Sequence, residues 1–227
     1  MQYFKQAFDL ILNADSELLK IIATTMLMSF FSTVFSSLLG LPLGVFLGCA
    51  RFKGKSAVIK LLNTLMSLPP VVAGLVVFML FRSVGPFGSL HIMFSVPVMV
   101  IAQVVLITPV IASLSASASG EKLTLLGETA AGLGLSKRRR NALVMRECAP
   151  QFFSIVLMGF GRSIAEVGAV SLVGGNIQYK TRVMTTAILL EANKGNFEKA
   201  LALGIILLLL SLVVNITAHV LQEKIND

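Results

Sequence analysis

Charge is what this sequence has least of. Only 13% of its 227 residues are Asp, Glu, Lys or Arg, while 56% are hydrophobic; soluble domains carry about 25% charged residues. A soluble globular domain is excluded, and an integral membrane protein is implied. Cysteine is nearly absent. Cys49 and Cys148 stand at the ends of apolar runs, and no structural disulfide is expected where the surroundings are cytoplasmic. The two histidines, His91 and His219, lie far apart and no Cys/His cluster exists, so neither a metal nor another cofactor is expected. A Gly-x-x-x-x-Gly-Lys-Ser/Thr loop for nucleotide phosphates is missing, as is any nucleophile–base pair or spaced carboxylate pair in a plausible cleft. The chain is therefore not expected to be an enzyme, and any energy must come from elsewhere. A signal peptide is not expected either, because the apolar run 21–50 is too long and no small-residue cleavage pattern ends it.

What is present is a series of long apolar runs. Residues 1–20 form an amphipathic N-terminal segment, with Phe4, Phe8, Ile11 and Leu12 at helical spacing between Lys5, Asp9 and Asp15; an interfacial helix fits, as does a frayed terminus. Residues 21–50 carry no charge. Thirty helical residues extend about 45 Å against a hydrocarbon core of about 30 Å, so tilt, or a kink at Gly40-Leu-Pro42-Leu-Gly44, is expected. A second span over 61–81 contains Ser67-Leu-Pro69-Pro70; two prolines remove two backbone donors, so this stretch either lines a pathway or is a packing kink. A third span over 92–117 ends in the small residues 113–120, which permit close helix approach. Spans over 151–173 and 201–221 complete five, broken by Gly174-Gly175-Asn176 and a polar stretch with a helical pattern near 183–192, and followed by a short tail, 222–227.

The formal charge of +8 would raise nucleic acid as a partner in a soluble protein, but no basic face with interleaved aromatics exists. The cations instead mark topology. The 51–60 loop holds four Lys and Arg against one in the 82–91 loop, and 118–149 holds six. The positive-inside rule puts both basic regions in the cytoplasm, and five spans then place the N-terminus outside and the C-terminus inside.

The polar interruption 123–150 is the longest in the middle of the chain. Leu126, Ala130 and Leu133 recur at i, i+4, i+7 on one helical face, and Ala130, Ala131 and Gly132 keep that helix thin. Gly132 and Gly134 end it. The run Lys137-Arg138-Arg139-Arg140 begins the next segment, as a topology signal resting on anionic lipid or as part of a docking element. Within the fourth span, Arg162 and Glu166 are four residues apart. A charge at mid-membrane costs about 2.5–3.5 kcal/mol on insertion scales, so both should face the bundle interior, as a neutralising pair or as a gate.

Glu128-Thr-Ala130-Ala-Gly-Leu-Gly134 resembles the EAA motif of ABC-importer permeases, Glu-Ala-Ala-x-x-x-Gly, with Thr129 in place of the first alanine. Val144 fits the motif's continuation, whereas Glu147 occupies its usual proline site and the proline is Pro150. Leu68-Pro69-Pro70-Val-Val-Ala-Gly74 and Gly161-Arg162-Ser-Ile-Ala-Glu166-Val-Gly168-Ala169 are similar to stretches of molybdate-type permeases. The stretch 173–191 resembles tungstate-importer permeases more specifically.

The resemblance implies an all-α integral membrane fold, a five-span type I ABC-importer permease bundle over 21–221 with a cytoplasmic coupling helix in the region 120–149. It implies a homodimer in the cell inner membrane, with a separate cytoplasmic ATP-binding subunit meeting Leu126, Glu128, Ala130, Ala131, Gly132 and Gly134. Pro69, Pro70, Arg162, Glu166 and Gly168 are the expected pathway or gate residues. Asn176, Lys180 and Arg182, with Thr185 and Thr186, are expected on the outer surface, to contact an oxyanion-binding protein or a dianion passing through, or as mere surface decoration. The implied cargo is an oxyanion, tungstate first, with molybdate or sulfate as alternatives. An ion-gradient-driven secondary transporter is the competing class; it would favour inverted repeats and carboxylates placed for ion coupling, and no internal repeat is visible.

Overall fold

The computed structural model describes residues 16–226, and the side chains of all of these except 131 and 218–226. The interfacial segment expected at the N-terminus therefore lies almost wholly outside the described residues. Nine α-helices and one short 3-10 turn make up the described chain: α1 Ser16–Cys49, α2 Lys55–Met66, α3 Pro70–Phe81, a turn at Gly88–Leu90, α4 Val96–Gly132, α5 Lys137–Glu147, α6 Ala149–Ala165, α7 Gly168–Gly174, α8 Met184–Asn193 and α9 Phe197–Asn226.

Three helices, α1, α4 and the 197–217 part of α9, are long and apolar enough to cross a membrane. Their burial assigns their places. In the most apolar window of α4, 67% of the residues are buried inside the chain, against 33% in α1 and 22% in α9. α4 is thus the central post, and α1 and α9 turn one side outward. Phe30, Phe31, Phe35, Leu38, Leu39 and Phe46 of α1 remain exposed, as a lipid-facing stripe should.

α1 and α4 pack along most of their length. The seam is built from small residues at i, i+4 spacing. A Cβ on Gly40 would lie 2.9 Å from Ile111 Cβ, one on Gly44 2.5 Å from the Ala112 carbonyl oxygen, and one on Gly48 2.7 Å from Ser119 Cβ. The small residues 113–120 allow the close approach expected of them against Gly44 and Gly48, while Gly40 packs on Thr108 and Ile111. Of the hydroxyls buried near this seam, Thr25, Ser32 and Thr33 donate to the carbonyls of Ile21, Met28 and Ser29 at 2.6–2.7 Å, whereas those of Ser29, Ser36, Ser115 and Ser119 have no hydrogen-bond partner.

The remaining segments depart from straight spans. The expected second span is instead two 12-residue helices, α2 and α3, bent by 96°. Each is about 18 Å long and cannot cross a core of about 30 Å alone. The cause is local: Pro69 takes extended geometry (φ −59°, ψ 128°), and Pro70 starts α3, where a missing N–H costs no helical bond. α5 and α6 form a second bent pair, at 55°, so the described chain offers five membrane segments if each pair counts as one. The expected fourth span also ends early: α6 stops at Ala165, and α7 is a separate two-turn helix. The apolar core joins α1, α3, α4 and α7 through Met28, Ala73, Val77, Met99, Ala169 and Val173.

Candidate functional site

The polar side chains inside the bundle gather where α6 ends against α4. Gln103 is fully buried (0% exposed) in the apolar middle of α4. Its Nε2 donates to the Ser163 carbonyl at 2.9 Å, and the Ser163 hydroxyl donates to Gln103 Oε1. This reciprocal pair satisfies an amide that would otherwise be unsolvated between apolar helices. Arg162 and Glu166 line a narrow crevice with Gln103, Leu106, Ile107 and Ser163.

The i, i+4 spacing of Arg162 and Glu166 predicts one shared helical face, and the structure corrects that. α6 terminates between them, and Glu166 is its C-cap in extended geometry (ψ 131°). Its Oε1 accepts the Ala169 N–H at 3.2 Å and its carbonyl accepts the Thr185 hydroxyl at 2.8 Å. The carboxylate thus serves an N–H in the first turn of α7, where a negative charge is favoured. Arg162 makes no ion pair with it: the described ion pairs are Arg182–Glu17, Lys194–Glu191 and Lys199–Glu191. The Arg162 Nε is buried without a hydrogen-bond partner. A buried cationic donor left unpaired in a crevice has capacity for an anion.

The proline break abuts the same region. α3 crosses α7 at backbone contact: a Cβ on Gly74 would lie 2.6 Å from Ala169 Cα, and one on Gly168 2.9 Å from Val71 Cγ2. Pro69, Pro70 and Gly168 are therefore neighbours of the Glu166 turn, as parts of one joint between two broken segments. Gln103 and Ser163 are the site residues that sequence reasoning misses. The available signal is a lone amide in an otherwise apolar run of α4.

Beyond α7 the chain turns through Gly175 and Asn176, both left-handed (φ 70° and 50°). The Arg182 guanidinium is engaged within the chain, with Glu17 at the start of α1 at 2.5 Å and Asn176 Oδ1 at 3.3 Å. Lys180 is exposed. Thr185 and Thr186, expected on this surface, are buried (6% and 2%). Thr186 Oγ1 accepts the Val183 N–H at 3.1 Å and so caps α8, and Thr185 ties α8 to the Glu166 carbonyl.

The EAA-like segment forms no separate helix. It is the last turns of α4, which runs unbroken through Ser117–Gly120 to Gly132. Gly134 is left-handed (φ 67°), and the Leu135 N–H returns to the Ala130 carbonyl at 3.0 Å, a Schellman-type stop. Ser136 then caps α5 through the Arg139 N–H. The expected shared face of Leu126, Ala130 and Leu133 divides. Ala130 is buried in the chain (1%), Leu126 is half-buried, and Leu133 is 73% exposed. Leu125, Glu128, Gly132 and Gly134 are exposed with Leu133, while the Ala131 side chain lies outside those described.

Three membrane-length apolar helices, two bent helix pairs and a buried polar joint define an integral membrane bundle among the described residues. A family model described as binding-protein-dependent transport system inner membrane component matches residues 40–227, and the chain belongs to that family, the permeases of ABC importers. Tungstate uptake system permease proteins TupB from Peptoclostridium acidaminophilum and Campylobacter jejuni are each 36% identical over 97% of the chain, covering 97% and 92% of their own lengths. The fold is shared with a chain of the bacterial alginate ABC transporter in complex with alginate pentasaccharide-bound periplasmic protein. There the TM-score is 0.77 at 19% identity, over 98% of this chain and 85% of that one.

Proposed function

We propose that this permease carries tungstate inward as one half of a homodimer, powered by a separate ATP-binding subunit and loaded by a binding protein. The observation that carries the cargo is the full-length match to two tungstate uptake permeases. The unpaired, buried Arg162 Nε beside Gln103 and Ser163 is chemically suited to pass a dianion.

In this reading the domain 21–221 crosses the membrane five times, each bent pair counting once, with the N-terminus outside and the tail 222–227 in the cytoplasm. The tip formed by the end of α4 and the turn after it, Leu125 to Gly134, enters the ATP-binding subunit through Glu128, Gly132 and Gly134, with Leu126 and Ala131 beside them. Ala130 supports the tip from within, being buried against its own chain. Closure of the ATPases draws the two tips together. α5 passes the motion to α6, and the joint of Pro69, Pro70, Arg162, Glu166 and Gly168 opens or shuts the path. Asn176, Lys180 and Arg182 belong to the outer surface that meets the binding protein.

The test is reconstitution of the chain with the ATP-binding subunit and binding protein encoded beside it. ATP-dependent uptake of tungstate is expected, competed poorly by molybdate or sulfate. Failure to retain any ATPase through purification overturns the importer reading, and uptake that follows an ion gradient without ATP favours a secondary transporter. Equal uptake of molybdate or sulfate overturns the cargo alone.

A further inference from the structure

We propose a binding site for a phosphate-class anion at the end of the bundle that carries the EAA-like tip, remote from the Arg162 joint. A cavity of about 570 Å³ lies where the end of α1, the start of α2, the last turns of α4 and the first turn of α5 converge. Its charged lining is Arg51, Lys55 and Arg140, faced by one carboxylate, Glu128. Three cations against one anion leave a local charge of +2. None of the four takes part in the described ion pairs, which all involve Glu17 or Glu191.

Of the three cations, Lys55 is fixed in place and Arg140 is partly buried, while Arg51 is exposed at the rim. Lys55 Nζ donates to the Gly48 and Ala50 carbonyls at 2.9 and 3.0 Å, which answers the negative end of α1 and fixes the ammonium on the cavity wall. An ammonium has three donors, so one remains for a ligand. The Arg140 Nε is buried without a partner, and Asn141 Oδ1 beside it in sequence is equally unsatisfied. A cavity lined by three cations and a single carboxylate favours occupancy by an anion, and a guanidinium plus an ammonium suit a phosphoryl group.

Two sources share that chemistry. Phe52, next to Arg51 in sequence, stacks on Phe46 at 6.1 Å; both rings are exposed and offer an apolar surface for the acyl chains of a phospholipid whose headgroup enters the cavity. Free phosphate is the other source. Either would bridge α1, α2, α4 and α5, and so brace the segment from which the helix tip projects.

The experiment uses the full-length chain in nanodiscs of phosphatidylcholine, with inorganic phosphate added to solution or phosphatidylglycerol to the disc. The rise in unfolding temperature is titrated to an apparent affinity. Arg140→Gln and Arg51→Gln are each expected to weaken it about ten- to a hundredfold, the loss of one charge-assisted contact. Arg138→Gln, exposed and outside the cavity, should leave it unchanged. Stabilisation by phosphatidylglycerol alone assigns the lipid as ligand; stabilisation by inorganic phosphate assigns the free anion. If neither stabilises, or if Arg138→Gln weakens binding as much as the cavity variants, the site does not exist. Arg51 is exposed, so its variant carries the test should Arg140→Gln fail to fold.

Discussion

Gly74 of α3 meets Ala169 of α7 backbone to backbone, with no room for a single methyl group: a Cβ on Gly74 would stand 2.6 Å from the Ala169 Cα. Both positions are buried, and the atom in the way is main chain, which cannot swing aside. Gly74→Ala should therefore push α3 off α7, at a cost of about 1–3 kcal/mol typical of overpacking. A drop in unfolding temperature together with lost uptake is expected. An unchanged unfolding temperature would show that the crossing is looser than described.

The Gln103–Ser163 pair gives a second outcome. Gln103→Leu removes the amide from α4 but leaves the Ser163 hydroxyl and carbonyl without that partner. The cost is about 1–3 kcal/mol for a buried polar group left unsatisfied. Combining it with Ser163→Ala should restore much of that loss, because one of the two stranded groups is then gone. A double-mutant cycle on unfolding free energy reads the coupling, which should exceed about 0.5 kcal/mol if the two act as a unit.

How much of this is legible in the sequence follows from which interactions are local. The break after Leu68 is legible, because two consecutive prolines fix backbone geometry wherever they stand. Its 96° angle is not, since packing of α3 on α7 sets it. The stop at Gly134 is legible from the glycine. By contrast, Arg162 and Glu166 invite a helical reading because nothing in their immediate sequence ends a helix. The break there is sustained by distant partners, Thr185 on the Glu166 carbonyl and Gln103 on Ser163. Ala130 likewise sits on a plausible partner face, yet it is buried within its own chain.

Arg182 and Glu17 are 165 residues apart and join the outer turn to the start of α1. Their side chains are 16% and 23% exposed, so the pair is worth about 1 kcal/mol, near the upper end for partly solvated ion pairs. Glu17→Gln should lower stability by up to that amount. The exchange Glu17→Arg with Arg182→Glu should recover part of it. If Arg182 also contacts the binding protein, Arg182→Gln lowers the apparent affinity for that protein while Glu17→Gln does not, which binding measurements on the reconstituted permease can separate.

Glu191 supplies a pH dependence. Hydrogen bonding from Asn196 holds its carboxyl below the ordinary value of 4.5; burial opposes that shift, while Lys194 and Lys199 reinforce it. A carboxyl depressed in the folded state contributes stability that is fully present above its unfolded value and disappears as pH falls through the folded one. The loop between α8 and α9 should hold unchanged from neutral pH to about 5 and loosen below about 4.5. Hydrogen exchange at residues 192–200 reads this directly. Glu191→Gln should remove the acid-dependent part and leave a loop already loosened at neutral pH.

The helix tip separates folding from coupling. Gly134 is left-handed (φ 67°) and a side chain there would meet no atom within 4 Å, so Gly134→Ala costs only backbone strain, about 1 kcal/mol. Gly132 is helical, exposed and equally free of neighbours, so Gly132→Ala should stabilise α4 by about 0.5–1 kcal/mol. Neither change threatens the bundle, since both lie beyond its packed core. If the tip enters a cleft of the ATP-binding subunit, a methyl group on Gly132 should nonetheless depress ATP-driven uptake while ATP hydrolysis continues. A more stable helix with poorer coupling is then the signature of a contact surface. A Gly132→Ala protein that is more stable and transports normally would show that the tip touches nothing, and would move the docking site to another part of the basic region.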